Sequence, residues 1–174
     1  SVMGGAFGRN GHSGNVTPVA EANIIGDPVA ADIVFGAAWP TTIVGLDVTH
    51  ESVMTDEYVS GLAGRAGKDG AFLWEVSRFY ANFYTTSRQF LNGFAVHDSS
   101  AVAAVLHPEF FTFVSGAVRV VPDGIAKGQT IVRPEGHYDR AKDWDGRPSC
   151  KVAVTVDSAA FLKFYAETII ARQR

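Results

Sequence analysis

Two polar side chains near the start of the sequence could bind a pair of neighbouring hydroxyl groups. Glu21 and Asn23 lie two positions apart at the end of a glycine-rich segment, residues 1–23. If this segment is extended, both side chains point to the same side. A carboxylate accepts hydrogen bonds from hydroxyl groups, whereas a carboxamide both donates and accepts them. The pair has the chemistry to recognise a sugar such as ribose, but composition and periodicity alone favour the alternative, a loop whose polar side chains bind their own backbone.

A second group consists of His97 and Asp98, which follow the apolar run Gly93–Val96 and precede small residues that open a helix. Open α/β sheets bind ligands beyond the carboxyl ends of their strands, and we expect both side chains there. Asp98 would then be an oxygen ligand for calcium or magnesium. His97 could protonate a leaving group near neutral pH. Alternatively, Asp98 only caps the helix.

The elements around these residues alternate between helix and strand patterns. Asp27-Pro28 predicts a helix start, and the helix should reach Ala38. The β-branched, apolar segment Thr41–Val48 predicts a buried parallel strand. A further helix is predicted over Asp98–Leu106, ending before Pro108.

The other segments continue the alternation. Helices are predicted at Thr55–Leu62, from Ala71 to about Gln89, and from Asp157 or Ser158 to about Arg172; strands are predicted at Phe111–Val121, Gln129–Val132 and Lys151–Val156. The second of these helices carries Phe72, Val76, Phe79 and Phe83 on one face. Together the patterns predict a single α/β domain over residues 1–174, with an open, mixed and mainly parallel sheet flanked by helices.

Composition excludes several function classes. The 174 residues are 47% hydrophobic and 19% charged, with a net charge of -3, which gives no reason to expect a nucleic-acid partner. No apolar run has the roughly 20 residues of a membrane helix, and no secretory signal is visible. The single cysteine, Cys150, cannot form an internal disulfide. We therefore expect a cytoplasmic location and no membrane partner.

Taken together, the motifs identify a family. The segments VMGGAF, GNVTPVAEANIIGDPVAADIVF, PTTIVGLDVTHE and GFAVHDSSAVAAVLHPEFF resemble the inosine–uridine-type nucleoside hydrolases. The likeness runs in order from Val2 to about Phe111, and it continues loosely through the last strand and helix. It implies a Rossmann-like core and calcium-dependent hydrolysis of the N-glycosidic bond of purine or pyrimidine ribonucleosides.

The resemblance also implies roles for individual residues. Ribose contacts fall on Met3, Asn15, Glu21 and Asn23, with Asn15 at the hydroxymethyl end. Asp98 would bind the calcium ion, and His97 would help to protonate the departing base. Tyr80 and Tyr84, four residues apart on one helix face, match aromatic residues that lie over the base; the alternative is an aromatic core stripe.

The chain departs from the family in four places. Ala22 stands where an aromatic residue is usual, and Ser99 replaces a common proline. The segment FGRNGHS is longer than expected, so that His12 either adds a contact or extends the loop. The family's calcium-binding cluster, Asp-x-Asp-x-x-x-Asp-Asp, has no match in this sequence.

The fourth departure leads to an expectation about partners. We expect the N-terminal strands of the sheet to be missing, with Ser1-Val2-Met3 the tail of a strand, and the N-terminal half of the same protein to complete the site. The chain alone is then inactive, and the family resemblance implies a homo-oligomer. The rival hypothesis is a catalytically inactive fragment or interaction module that keeps only the fold.

Overall fold

The computed structural model describes residues 1–87, 92–137 and 140–171. The chain forms two compact units. The first joins Ser1–His50 to His97–Val156, and the second joins Glu51–Val96 to the segment that begins at Asp157. The expectation of one domain stays a prediction. The predicted helix ends at Gln89 and Arg172 lie outside the described residues.

The first unit is organised around a five-stranded sheet. In their order across the sheet, the strands are β1 (Val2–Met3), β2 (Thr42–Val44), β7 (Ser149–Val156), β5 (Phe111–Val120) and β6 (Thr130–Pro134). The pairs β1–β2 and β2–β7 are parallel, whereas β5 pairs antiparallel with both β7 and β6. The prediction of an open, mixed α/β sheet is confirmed, and so is the strand at Val2–Met3. The described sheet is not mainly parallel, since it has two parallel and two antiparallel strand pairs.

Four helices accompany this sheet in the first unit. They are α1 (Ala22–Gly26), α2 (Pro28–Phe35), α3 (Leu46–Thr49) and α6 (Asp98–Leu106). The predicted start of α2 is confirmed, since the Asp27 carboxylate accepts a hydrogen bond from the Ala30 N–H at 2.9 Å and satisfies one of the free donors of the first turn. The helix ends at Phe35 rather than at Ala38. The bounds of α6 are those predicted.

The predicted strand over Thr41–Val48 is too long. The strand ends at Val44, and α3 begins at Leu46. The Leu46 N–H donates to the Gly5 carbonyl at 2.9 Å, and the Thr49 N–H donates to the Gly45 carbonyl at 3.2 Å. These backbone hydrogen bonds turn the chain into a helix despite its β-branched residues, whose strand preference is weak against tertiary contacts.

The core of the first unit lies between α1, α2 and the strands. It contains the buried side chains of Ile24, Phe35, Ile43, Val118, Val120, Cys150 and Val152. Asp32 connects α2 to β5, because its carboxylate accepts hydrogen bonds from the Val120 N–H (2.9 Å) and from the guanidinium groups of Arg119 (2.9 Å) and Arg147 (3.0 Å). Removal of one partner from such an ion group leaves a poorly solvated charge behind.

The second unit contains a two-stranded antiparallel sheet and three helices. The strands are β3 (Val53–Met54) and β4 (Phe94–Ala95), and the helices are α4 (Asp56–Arg65), α5 (Gly67–Ser87) and α7 (Ser158–Ala171). The Asp157 carboxylate accepts a hydrogen bond from the Ala160 N–H at 2.9 Å, which confirms its capping role. Among the helices of the described residues, none is long and apolar enough to cross a membrane.

The apolar stripe of α5 is not the buried face of this helix in the structure. Phe72, Val76, Phe79 and Phe83 are all exposed, and Phe79 is 84% exposed. The helix instead buries Gly70, Ala81 and Tyr84, which lie on its opposite side at 3.6 residues per turn. At Gly70 the backbone of α5 comes close to α4, since a Cβ atom there would lie 2.3 Å from the Leu62 carbonyl oxygen.

Candidate active site

The carboxylate of Glu21 is at the centre of the first group of site residues. Glu21 is 2% exposed and is the N-cap of α1. Its Oε1 accepts from the Asn23 N–H at 2.8 Å, and its Oε2 accepts from the N–H groups of Gly5 and Ile24, each at 3.1 Å. A carboxylate has about four acceptor positions. Three are filled by backbone donors, so that the carboxylate is rigidly held with about one position open.

Two further predicted residues are joined to Glu21 by local contacts. The Asn23 amide nitrogen lies 3.3 Å from the Met3 carbonyl oxygen and 3.3 Å from its sulfur. The Asn15 side-chain oxygen accepts from the Ala22 N–H at 3.0 Å. The structure therefore brings Met3, Asn15, Glu21 and Asn23 together, and we call them the Glu21 cluster.

The reason for this grouping differs from the expected one. The segment from Glu21 to Asn23 is not extended, because α1 begins at Ala22. Glu21 points inward as a helix cap, whereas Asn23 in the first turn is exposed. The backbone alternative is thus partly correct for Glu21, whose carboxylate binds main-chain N–H groups.

Gly5 connects the Glu21 cluster to the segment after β2. Its N–H donates to Glu21, and its carbonyl accepts from the Leu46 N–H at the start of α3. Gly5 has a φ of 89°, a region that disfavours residues with a Cβ atom. A Cβ there would also lie 3.0 Å from the side chain of Thr130. Only glycine meets these requirements without strain.

His97 contacts Thr49, the last residue of α3. Its Nδ1 lies 2.8 Å from the Thr49 hydroxyl oxygen, and Thr49 is fully buried. Burial lowers the pKa of the His97 imidazole to about 4, although the neighbouring Asp98 carboxylate opposes the shift. This differs from the expectation of titration near neutral pH: the imidazole is neutral at pH 7 in this structure.

Asp98 is exposed and is the first residue of α6. The N-cap of that helix is His97, and no side chain makes a capping hydrogen bond. The side-chain capping alternative for Asp98 is therefore wrong, although its charge lies in the favourable first turn. Within the described ranges, no group donates a hydrogen bond to its carboxylate, which is available for a ligand.

A row of imidazole rings extends from His97 towards the loop of residues 7–13. The His50 ring lies edge-on to His97 at 5.6 Å and to His12 at 5.2 Å between centroids. The loop is fixed by the buried Asp47, whose carboxylate accepts from the N–H groups of Phe7 (2.9 Å) and Arg9 (2.6 Å). His12 thus packs within the structure rather than merely lengthening the loop.

Tyr80 and Tyr84 belong to the second unit. Their rings meet edge-on at 4.9 Å, and Tyr80 also contacts Phe94 of β4 at 5.7 Å. Tyr84 is 4% exposed and Tyr80 38%. The core alternative is therefore correct for Tyr84, whereas contact of either ring with a base stays a prediction.

Sequence reasoning missed Asp47, Thr49 and His50 as residues that support the site. The predicted strand Thr41–Val48 includes Asp47, whereas Thr49 and His50 lie just beyond it and received no role. A usable signal was present, since polar residues directly after a parallel strand lie at the ligand-binding edge of such sheets. Asp47, Thr49 and His50 follow β2 at this edge.

The comparison with known families identifies the chain. The sequence profile described as "Inosine-uridine preferring nucleoside hydrolase" matches residues 1–163. The chain belongs to this family. Among curated relatives, it is 36% identical over 170 residues to the probable uridine nucleosidase 2 of Arabidopsis thaliana, covering 97% of this chain and 52% of the relative. It is 34% identical over 174 residues to the inosine-uridine preferring nucleoside hydrolase of Leishmania major, covering 99% and 51%.

Solved structures agree. The plant nucleoside hydrolase PpNRh1 superposes with a TM-score of 0.89 at 37% identity, over 97% of this chain and 52% of that chain. The purine-preferring ribonucleoside hydrolase from Gardnerella vaginalis superposes with a TM-score of 0.84 at 34% identity, over 97% and 51%. The nucleoside hydrolase fold is thus confirmed, and the chain spans about half the length of the relatives that it matches.

The role of Gly5 can be tested by substitution. We expect Gly5→Ala to lower the free energy of unfolding by about 1–3 kcal/mol, because it adds backbone strain at a crowded position. Gly124→Ala is the matched control: Gly124 has a φ of 72°, but a Cβ atom added there would have no neighbouring atom within 4 Å. Urea unfolding of both variants measures the difference. Equal losses would show that Gly5 contributes only its backbone conformation and not the connection.

Proposed function

We propose that the protein to which this chain belongs hydrolyses the N-glycosidic bond of ribonucleosides, releasing ribose and the free base. The observation that carries the proposal is the Glu21 cluster, a rigid carboxylate with an open acceptor position beside an exposed carboxamide, in a member of a nucleoside hydrolase family. The relatives are named for uridine, for inosine and uridine, and for purine nucleosides. The substrate is therefore proposed as a class.

In this proposal the Glu21 cluster binds the sugar. The open position of Glu21 accepts a hydrogen bond from one ribose hydroxyl, and the exposed Asn23 amide binds a neighbouring hydroxyl. Asn15 lies at the hydroxymethyl end of the sugar, and Met3 packs against it. Glycoside cleavage passes through an oxocarbenium-like transition state, so that contacts which strengthen as the sugar distorts accelerate the reaction.

His97 then stabilises the departing base. Because its pKa is lowered to about 4 by burial, His97 acts as a neutral hydrogen-bond donor to the base rather than as a free imidazolium. A neutral imidazole can stabilise developing negative charge in this way. A contact of Tyr80 or Tyr84 with the base stays a prediction of the family resemblance.

Calcium is the proposed metal, and Asp98 fits as one of its ligands because its carboxylate is exposed and accepts no hydrogen bond from the described residues. Calcium takes six to eight oxygen ligands. In the described part of the chain, no group of three or more His, Cys, Asp or Glu side chains is arranged to hold a metal. The proposal therefore assigns the other ligands to a further part of the protein. When bound, the ion would orient a water molecule and lower its pKa.

Two features of the first unit support this further part. In the described structure β1 pairs on one side only, with β2, and an unpaired strand edge is usually covered in native proteins. Helix α6 also leaves Val102, Val105 and Leu106 exposed, each at 58–61%. We infer that the N-terminal half of the family fold covers these surfaces and completes the metal site.

The proposal is tested first by activity and sugar selectivity. With calcium, the protein that joins this chain to an N-terminal half should release ribose from inosine or uridine, and the chain alone should not.

Asn23→Ala should lower the preference for inosine over 2′-deoxyinosine by about tenfold, the value of one hydrogen bond. Asn23 is the better variant to test, since Glu21 also holds backbone donors. Turnover by the chain alone would contradict the shared metal site, and an unchanged preference would remove Asn23 from the sugar site. No turnover by either form would favour the inactive interaction module.

A second test separates Asp98 from His97. Asp98→Ala should raise the calcium concentration for half-maximal activity by about tenfold or more; Asp123→Ala, in an exposed turn, is the control. His97→Ala should leave this concentration unchanged and slow inosine by about a hundredfold. It should slow p-nitrophenyl riboside less, because that leaving group departs unaided. Normal calcium dependence in Asp98→Ala, or equal slowing of both substrates in His97→Ala, would overturn the respective assignment.

A further inference from the structure

The loop of residues 7–13 contains a tight turn at its tip. The His12 N–H donates to the Arg9 carbonyl at 2.9 Å, and the two residues between them, Asn10 and Gly11, have φ angles of 54° and 76°. Two successive positive φ angles are typical of a type I′ turn, which connects the strands of tight hairpins. In such a turn the first and last residues lie opposite each other, with their side chains on the same side. Arg9 and His12 are therefore neighbours.

The turn is fixed to the edge of the sheet at which the candidate site lies. The Asn10 amide donates to the Val154 carbonyl of β7 at 2.8 Å and to the Asp47 carbonyl of α3 at 2.9 Å. The Asp47 carboxylate also accepts the Arg9 N–H at 2.6 Å. The turn thus has a defined position near the carboxyl ends of β2 and β7, which is the edge where α/β sheets bind ligands.

This position is next to the proposed sugar site. The loop ends two residues before Asn15, the residue proposed for the hydroxymethyl end of the sugar. On the other side of the turn, the His12 ring meets the His50 ring at 5.2 Å, and the His50 ring meets that of His97 at 5.6 Å between centroids. Arg9, as the neighbour of His12, therefore lies at the border of the site.

Arg9 is a cation without a counter-ion in the described structure. It is partly buried, and its guanidinium makes no hydrogen bond or ion pair with any residue in the described ranges. Asp47 is not its partner, because the Asp47 oxygens accept the backbone N–H groups of Phe7 and Arg9. Charges that are removed from water are usually paired. The planar fork of a guanidinium matches the oxygens of a phosphate group, so that Arg9 suits an anionic group on a ligand.

We propose that Arg9 and its turn form a subsite for a phosphate group on the hydroxymethyl carbon of the ribose, so that the protein binds nucleoside 5′-monophosphates as well as nucleosides. The inference rests on the proposed function for the position of the ribose. A phosphate at that carbon extends the sugar from Asn15 towards the loop, where Arg9 supplies the positive charge. The segment FGRNGHS, which is longer than the family pattern, then determines specificity at this end of the sugar.

Binding of ribose 5-phosphate tests the subsite without turnover. In the protein that joins this chain to an N-terminal half, calorimetry should give a Kd for ribose 5-phosphate that is about tenfold or more below the Kd for ribose. Arg9→Gln should remove most of this difference, because an amide lacks the charged fork. Arg65→Gln is the matched control: it removes the same charge from the last turn of α4, where Arg65 is exposed, and should preserve the difference.

Two results would overturn the proposal in this measurement. One is an equal Kd for ribose and ribose 5-phosphate, or a difference that persists in Arg9→Gln. The other is inorganic phosphate that binds as tightly as ribose 5-phosphate, because the site would then accept free phosphate without the sugar.

Competition with a nucleoside gives a second readout on the active protein. Inosine 5′-monophosphate should compete with inosine, and Arg9→Gln should raise its inhibition constant by about tenfold. Absence of competition, or an inhibition constant that Arg9→Gln does not change, would contradict the subsite. If the protein hydrolyses no nucleoside, the proposed function fails, whereas the comparison of ribose with ribose 5-phosphate still decides whether Arg9 binds a phosphate. If inosine is hydrolysed but the phosphate adds no affinity, only the subsite is wrong.

Discussion

The backbone N–H and carbonyl groups of Gly5 connect the two parts of the candidate site, Glu21 and helix α3. Its N–H binds the Glu21 carboxylate, and its carbonyl binds the first N–H of α3. Because α3 is a single turn that ends at Thr49, the same short helix carries the hydroxyl that holds His97. The proposed sugar-binding group and the proposed leaving-group donor are thus linked through one glycine and one helical turn. Catalysis by placement needs reacting groups to be held in a defined geometry, and such a short connection fits that need.

Glu21 and His97 are both removed from water, but the structure compensates for this differently at the carboxylate and at the imidazole. Glu21 is surrounded by three backbone N–H donors, which compensate for its removal from water. The Thr49 hydroxyl lies 2.8 Å from Nδ1 of His97, and burial lowers the pKa of its imidazole to about 4 against the opposing effect of the adjacent Asp98 carboxylate. A neutral imidazole needs no counter-ion.

Much of this could be predicted from the sequence, for reasons that differ between elements. The start of α2 followed from Asp27-Pro28, and α6 and the antiparallel strands followed from patterns that tertiary contacts did not oppose. The family resemblance grouped Met3, Asn15, Glu21 and Asn23, although the expected extended geometry was wrong. The end of β2 could not be predicted, because the Leu46 N–H donates to the carbonyl of Gly5, which is distant in the sequence; nor did the apolar stripe of α5 indicate which face of that helix is buried. Local periodicity contains no information about such backbone approaches.

The central claim is that the Glu21 cluster and His97 bind the two ends of one nucleoside. A crystal structure of the active protein with calcium and an unreactive ribonucleoside analogue tests it most directly. We expect ribose hydroxyls within hydrogen-bonding distance of Glu21 and Asn23, and the base within reach of the His97 imidazole. A sugar bound away from the Glu21 cluster, or a base that contacts no atom of His97, would contradict the account.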